Sequence, residues 1–321
     1  MDLPPGLRGA VKAELANLST DALAAAAAAL SARYRSELRD GRPHVADDLA
    51  ARAYLAARLP ATYTATRSAF EAAALRLPDF APLSLLDLGS GPGTAAFAAA
   101  DRWPGLVRAT LVEGSAAMRR SAMALAAGDR LARIWRTDDF ARDMPKLATH
   151  DLVTIAYVLD ELEEEARGRL IAAAWQATAG LLVIVEPGTP AGWRRILDAR
   201  AALLAAGAAI VSPCPHQAPC PLAEPDWCHF AARLARSRVH LRTKRASVPF
   251  EDEKFIHLAA SRLAAADRPD RVLAPPKAAS GRVALKLCRA DGSLAQRLVT
   301  RREGEAFRIA RRLAWGDLAA L

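Results

Sequence analysis

Apolar residues recur with two different periods along the 321 residues, and the change falls near residue 80. Before it the spacing is helical. "STDALAAAAAALSARYRSEL" offers Ser19 or Thr20 as an N-cap ahead of strong helix formers, and Gly41-Arg42-Pro43 supplies a stop. A second helix is expected from about Asp47 to Arg58, and Pro60 breaks or restarts it. In "ATYTATRSAFEAAALRL" the large residues Tyr63, Phe70 and Leu77 follow at seven-residue spacing, a stripe suited to packing on a neighbour.

From Leu83 short continuous apolar runs alternate with helical ones. "LSLLDLG", "RATLVEG", "ARIWRTD", "HDLVTIAYVL" and "GLLVIVEPG" read as strands; "GTAAFAAADRW", "SAAMRRSAMALAAG" and "EEEARGRLIAAAWQAT" read as helices between them. Continuously apolar strands belong in a parallel sheet covered on both faces. The pattern therefore predicts a doubly wound, Rossmann-like α/β core over residues 81–205. An N-terminal helical region (1–80) precedes it, and a cysteine-rich insertion (206–240) and remaining strands (241–321) follow. In that last part "GRVALKLCRADGSLAQRLVTRR" carries two alternating runs about Asp291-Gly292, the signal for a β-hairpin with a type I′ turn. Val283, Leu285 and Leu287 share one face of its first strand, and Cys288 shares the other with Ala284 and Lys286.

Charge adds an asymmetry. Residues 231–321 hold 20 Lys and Arg against 9 Asp and Glu, whereas residues 1–230 hold 24 against 26. A basic end of that size suits a phosphate backbone, with a solvated arginine-rich surface as the plainer account. No apolar run near the start approaches the ~20 residues of a bilayer span. Asp2 and Glu14 are out of place in an acid-poor organelle leader. A cytoplasmic protein without membrane attachment is expected.

The first strand of the α/β part runs into "LLDLGSGPGTAAFAAA", with Gly89, Gly91 and Gly93 between strand and helix. Glycines there let the backbone turn tightly and approach a ligand at a helix N-terminus. Glu113 ends the next strand, twenty residues after Gly93, where a carboxylate can hold both hydroxyls of a ribose. Asp87 sets a negative charge beside the turn, which repels a pyrophosphate and suits a cation. "DLGSGPG", Ser90 included, resembles the first motif of class I S-adenosylmethionine-dependent methyltransferases. The resemblance continues through Glu113, Asp138-Asp139 and "DLVTIAYVLDEL". It implies Glu113 on the ribose, Asp138 or Asp139 on the adenine amino group, and Ala156 and Tyr157 lining the pocket below the methyl group. No residue stands out as a base for methyl transfer. Asp160 and Glu161 are candidates, but two acids opening a helix also complement its N-terminal dipole.

Three of the four cysteines lie in "VSPCPHQAPCPLAEPDWCHF", residues 211–230. In a reducing compartment clustered cysteines point to metal binding or catalysis rather than to disulfides. Cys214, Cys220, Cys228 and Cys288 lack the paired C-x2-C of zinc ribbons and the tight three-cysteine run of radical S-adenosylmethionine enzymes. Four thiolates match the count for a [4Fe-4S] cluster, and five prolines, from Pro213 to Pro225, stiffen the loop. Zinc, held by four cysteines or by three and a histidine, is the alternative. His216 and His229 read first as hydrogen-bonding or packing residues.

Together with "YLAARLPATYTA", "VEPGTPAGW", "CPHQAPCPL", "DWCHF", "EDEKF" and "RLVTRREGEAFRIARRLAWGD", residues 54–317 resemble one family. It is that of the methyltransferase-like proteins of the small ribosomal subunit, known from mitochondria and with bacterial relatives. The resemblance implies a methyltransferase fold, a [4Fe-4S] cluster on Cys214, Cys220, Cys228 and Cys288, and association with small-subunit ribosomal RNA in assembly or translation. Two roles stay open, an RNA-binding assembly factor and an active rRNA methyltransferase; a small-molecule methyltransferase with a zinc site has only the fold in its favour. Away from the ribosome a monomer is expected.

Overall fold

The computed structural model describes residues 2–36, 44–138, 140, 146–263, 265 and 269–321. Four helices come first: α1 (Pro5–Glu14), α2 (Thr20–Ser36), α3 (Asp48–Ala57) and α4 (Leu59–Ala74). Ser19 caps α2, accepting from the Ala22 N–H at 3.4 Å, and Asp47 caps α3, accepting from Ala50 at 2.8 Å. Pro60 sits in the first turn of α4, where its missing N–H would have had no helical partner, so it restarts the helix. Gly41-Arg42-Pro43 lies outside the described residues. Tyr63, Phe70 and Leu77 are all buried in the main core.

The α/β part follows as β1 (Ser84–Leu88), α5 (Thr94–Arg102), β2 (Arg108–Val112), α6 (Ala116–Ala126), β3 (Ala132–Arg136), β4 (His150–Ala156), α7 (Glu164–Gln176), β5 (Thr178–Pro187) and α8 (Pro190–Ala205). It continues with β6 (Ala209–Ser212), β7 (Phe230–Ala235), α9 (Arg238–Thr243) and β8 (Phe250–Ser261). The sheet order is β3-β2-β1-β4-β5-β8-β6, and β1 to β5 pair in parallel, as their apolar runs predicted. Order reverses between β1 and β4. Right-handed crossovers leaving that point in opposite directions put their helices on opposite faces, which makes the core doubly wound.

β8 inserts antiparallel between β5 and β6. Its first half, residues 250–255, pairs instead with β7. β6 and β7 therefore lean on one long strand, and the cysteine-bearing segment 213–229 leaves the sheet between them.

A second sheet ends the chain: β9 (Asp270–Val272), β10 (Lys277–Ala279), β11 (Arg282–Cys288), β12 (Leu294–Thr300) and β13 (Leu318–Ala319), with α10 (Glu305–Ala310) before the last strand. Val272, Val283, Leu285, Leu287, Val299 and Phe307 give it an apolar core of its own. The hairpin β11–β12 is present, but its turn is not type I′. Gly292 N–H donates to Arg289 O at 3.0 Å and Arg289 N–H to Ser293 O at 2.9 Å, a three-residue loop in which only Gly292 has positive φ, +88°. Type I′ needs positive φ at both central residues. Asp291 instead accepts from the Ser293 N–H and hydroxyl, a local bond compatible with ordinary φ. Among the described residues no helix is long and apolar enough to cross a membrane.

Candidate cofactor crevice and cysteine cavity

β1 and β4 flank the point of strand reversal, and the crevice beyond their C-terminal ends is where an open α/β sheet takes a ligand. Gly89 (φ +70°) and Gly91 (φ +53°) carry the chain out of β1, and Gly93 (φ +81°) leads into α5. The first two are glycine for different reasons. A Cβ on Gly89 would lie 2.4 Å from Val158 Cγ2, whereas one on Gly91 would meet nothing within 4 Å. The N–H groups of Gly89 and Ser90 both donate to Val112 O at 2.9 Å, which ties the turn to the end of β2.

Asp87, on β1, is 1% exposed. Its Oδ1 accepts from the Thr154 hydroxyl on β4 at 2.7 Å, while Oδ2 is buried without a hydrogen-bond partner. Burial pushes its pKa up to about 7, against the Thr154 bond and with help from the Glu113 charge. The Ser90 and Thr94 hydroxyl oxygens are likewise buried and unpartnered. Three unmatched polar atoms around one glycine turn are costly unless something meets them. Glu113 is fixed over the same turn, accepting from Gly91 N–H at 2.8 Å and Ser115 N–H at 2.7 Å, and burial raises its pKa. This donor set fits a cationic group near Asp87 and hydroxyls near Glu113.

Other expected contacts fall differently. Arg136 grips both oxygens of Asp138, at 2.8 and 3.2 Å, so that carboxylate is already committed; Asp139 lies outside the described residues. Ala156 ends β4 half-buried, and Tyr157 follows at φ +59°, a conformation uncommon for an aromatic residue and frequent at functional sites. The Tyr157 hydroxyl donates to Glu253 Oε1 at 3.2 Å, and Arg58 Nη2 meets the same oxygen at 3.4 Å. Asp160 and Glu161 occupy a 3-10 turn (Leu159–Glu161) ahead of α7 rather than the opening of that helix. Burial, with the Asp160, Glu113 and Glu186 charges, pushes Glu161 up to about 8. Glu186, at the end of β5, is raised by burial and by Asp160 although Arg195 pairs with it at 2.7 Å. Carboxyls that raise one another's pKa in this way favour a cation among them.

The second site lies where segment 213–229 leaves the sheet. Cys214, Cys220, Cys228 and Cys288 all line one cavity, with Ile256 and Leu258 of β8 in its wall. The four are free thiols. Burial raises Cys214, Cys228 and Cys288, the last to about 12, and the neighbouring sulfurs add to it. Cys288 does share a β11 face with Lys286, and that face meets the loop: Lys286 pairs with Asp226, and Cys288 Sγ lies 3.3 Å from His216 Nε2. His216 Nδ1 is 3.0 Å from Ala218 O, and His229 stacks on Trp227 with ring centroids 5.1 Å apart. Among the described residues no three of His, Cys, Asp and Glu are gathered closely enough to hold a metal ion, so a metal centre is not shown. The thiols surround a space rather than a point.

Thr154, Val158, Arg200 and Arg271 reach these sites from distant elements and carry no local signal in the sequence; Glu186 is marked there as the lone acid in "GLLVIVEPG".

The sequence model of the family described as mitochondrial small ribosomal subunit Rsm22 matches residues 48–320. The human mitochondrial ribosome assembly protein METTL17 is 32% identical over 291 residues, 83% of this chain and 61% of that protein. The mitochondrial Rsm22-cox11 tandem protein 2 of Schizosaccharomyces pombe is 29% identical over 185 residues, 44% of this chain and 25% of that protein. This chain thus spans about three fifths of the length of the first and a quarter of the second. A solved structure, magnesium protoporphyrin IX methyltransferase from Synechocystis PCC 6803 with bound SAH, is similar over 62% of this chain and 84% of its own, at 16% identity and a TM-score of 0.40. Both relatives are mitochondrial proteins, which overturns the cytoplasmic expectation.

Proposed function

Because the chain belongs to the mitochondrial small ribosomal subunit Rsm22 family, we propose that it is an assembly factor that binds small-subunit ribosomal RNA. The observation that carries this is the far end of the C-terminal sheet. Arg282 opens β11, and Arg301 and Arg302 follow β12 beside it through the register Arg282↔Thr300; Lys277 of β10 lies opposite Ala284, two positions further along β11. All four are exposed, and none is in an ion pair among the described residues. Arg311 and Arg312, just past α10, are exposed as well. Exposed cations without acidic partners suit phosphates, and releasing counterions makes such binding salt-dependent. The protein should co-sediment with the small subunit at low salt, and Arg301→Glu with Arg302→Glu should weaken this and flatten its salt dependence. Free migration of the wild type at low salt refutes the proposal.

The α/β core would take S-adenosylmethionine, with Asp87 towards its cationic end and Glu113 towards the ribose. The partnerless atoms of Asp87, Ser90 and Thr94 support this. Cys214, Cys220, Cys228 and Cys288 would hold a [4Fe-4S] cluster, which supplies iron–sulfur bonds from the loop to β11; their shared cavity supports it. Iron and sulfide analysis of anaerobic protein tests the cluster, and one zinc without sulfide refutes it. An active rRNA methyltransferase is the second reading, favoured by a crevice that still keeps its buried acid. Labelled methyl transfer to immature subunit RNA, lost in Asp87→Ala, would establish it.

A further inference from the structure

The cavity that gathers the four thiols also holds two arginines that no Asp or Glu answers among the described residues. Arg200 comes from α8 and Arg271 from β9; both line the cavity, at 4% and 3% exposure. Arg200 Nη2 donates to His216 O at 3.1 Å and Ala218 O at 2.7 Å, and its Nε is buried without a partner. Arg271 donates from Nε to Pro213 O at 3.0 Å and from Nη1 to Gly316 O at 2.6 Å. Every one of these acceptors is a neutral carbonyl. Asp317 acts on Arg271 only at a distance, being exposed and forming no ion pair with it.

A guanidinium keeps its charge, and a buried charge needs a counter-charge. Among the described residues no Asp or Glu lines this cavity; the ionisable ones there are the two arginines, His216 and the four cysteines. The counter-charge must come from the cysteines and what they bind. Register supports this, since Arg271 and Cys288 are direct partners across β9 and β11. Directly opposed residues stand with Cβ atoms roughly 5 Å apart on the same face of a sheet.

The number of charges then discriminates between occupants. Four neutral thiols or two disulfides leave both arginines unanswered. Three thiolates and a neutral histidine on zinc leave one negative charge. Four thiolates on a doubly positive core leave two, which matches the two guanidiniums.

We propose that Arg200 and Arg271 are the built-in counter-ions of a dianionic four-thiolate centre, positioning residues that govern its retention and its reduction potential. This rests on the cluster proposed above. With both arginines present the oxidised [4Fe-4S] centre is neutral within its cavity, and one added electron leaves a single excess negative charge. Removing one arginine makes both oxidation states more negative and reduction harder, net charge being one of the levers on a cluster's potential.

The test compares the anaerobically purified wild-type chain with Arg200→Gln, Arg271→Gln and Arg271→Lys. Iron and acid-labile sulfide are counted, and the potential is measured by dithionite titration followed by electron paramagnetic resonance. Both Gln variants should lose iron and shift to more negative potential. Arg271→Lys keeps the charge but not both carbonyl bonds, and should stay near the wild-type potential. Circular dichroism confirms that each variant is folded. Unchanged iron content and potential in the Gln variants, or Lys and Gln variants that behave alike, defeats the proposal and leaves the cluster standing. Wild type with zinc and no sulfide defeats the cluster; zinc retention under chelator, again weaker in Gln than in Lys, then decides the counter-ion assignment. Wild type with no metal at all defeats both.

Discussion

Asp87 holds a buried carboxyl whose second oxygen has nothing to bond, and its proton affinity records the strain. An ordinary value near 3.8 becomes about 7 in the folded protein. Between those values the folded state binds more protons than the unfolded state, so stability falls as pH rises across the window. Asp87→Asn should remove that slope: its stability relative to wild type, from denaturant unfolding, should be similar near pH 4 and greater above pH 7. A cation changes the sign of the problem, because it prefers the ionised carboxylate. S-adenosylmethionine should therefore bind more tightly as pH rises through about 7, releasing a proton that calorimetry in two buffers detects. Asp87→Asn should lose about 1.5–3 kcal/mol of that binding, at least tenfold. The sequence showed the acid beside its glycines, since strand, turn and helix are contiguous there. It could not show Thr154, 67 residues on, or the empty oxygen, because both depend on how β4 packs beside β1.

At the scale of elements, the strands were readable wherever the apolar pattern was local, and pairing was not. The alternation in β11 already put Cys288 on the face opposite Val283, Leu285 and Leu287, and the structure turns that face to the loop through Lys286 and His216. The break between β6 and β7 left no local trace, because what joins them is β8, which comes later in the chain. An Asp-Gly pair serves the three-residue loop as readily as a type I′ turn, so the sequence could not separate them. The observed loop has a consequence for the cavity. Gly292 stands at φ +88°, and a Cβ there would lie 3.0 Å from Ala218 Cβ and 3.7 Å from His216 Nδ1. The hairpin tip thus rests on the cysteine loop. Gly292→Ala should cost about 1–2 kcal/mol from backbone strain alone. It should also press on His216 and, with the proposed cluster bound, speed iron release to a chelator, measured against wild type in the same assay.

Over the whole molecule, two apolar cores meet through polar and aromatic contacts concentrated at the cysteine loop. Arg271 reaches Pro213, Lys286 reaches Asp226, and Trp315 sets its ring edge-on to His229 at 4.8 Å. The exposed cations of Arg282, Arg301 and Arg302 lie at the opposite end of β11 from Cys288. A cluster bridging loop and hairpin would therefore hold the basic end at a fixed attitude to the α/β core. Its loss in Cys288→Ser should leave both cores folded, since each buries its own apolar residues. Hydrogen exchange should rise in residues 213–229 and across β9 and β11 while β1 to β5 stay protected, and binding at the glycine turn should persist. Small-subunit co-sedimentation should weaken, because cations that no longer keep a fixed spacing lose part of their summed attraction for a phosphate backbone. Equal co-sedimentation by the cluster-free variant would mean that the basic end binds without the staple, and that the cluster serves something other than holding it in place.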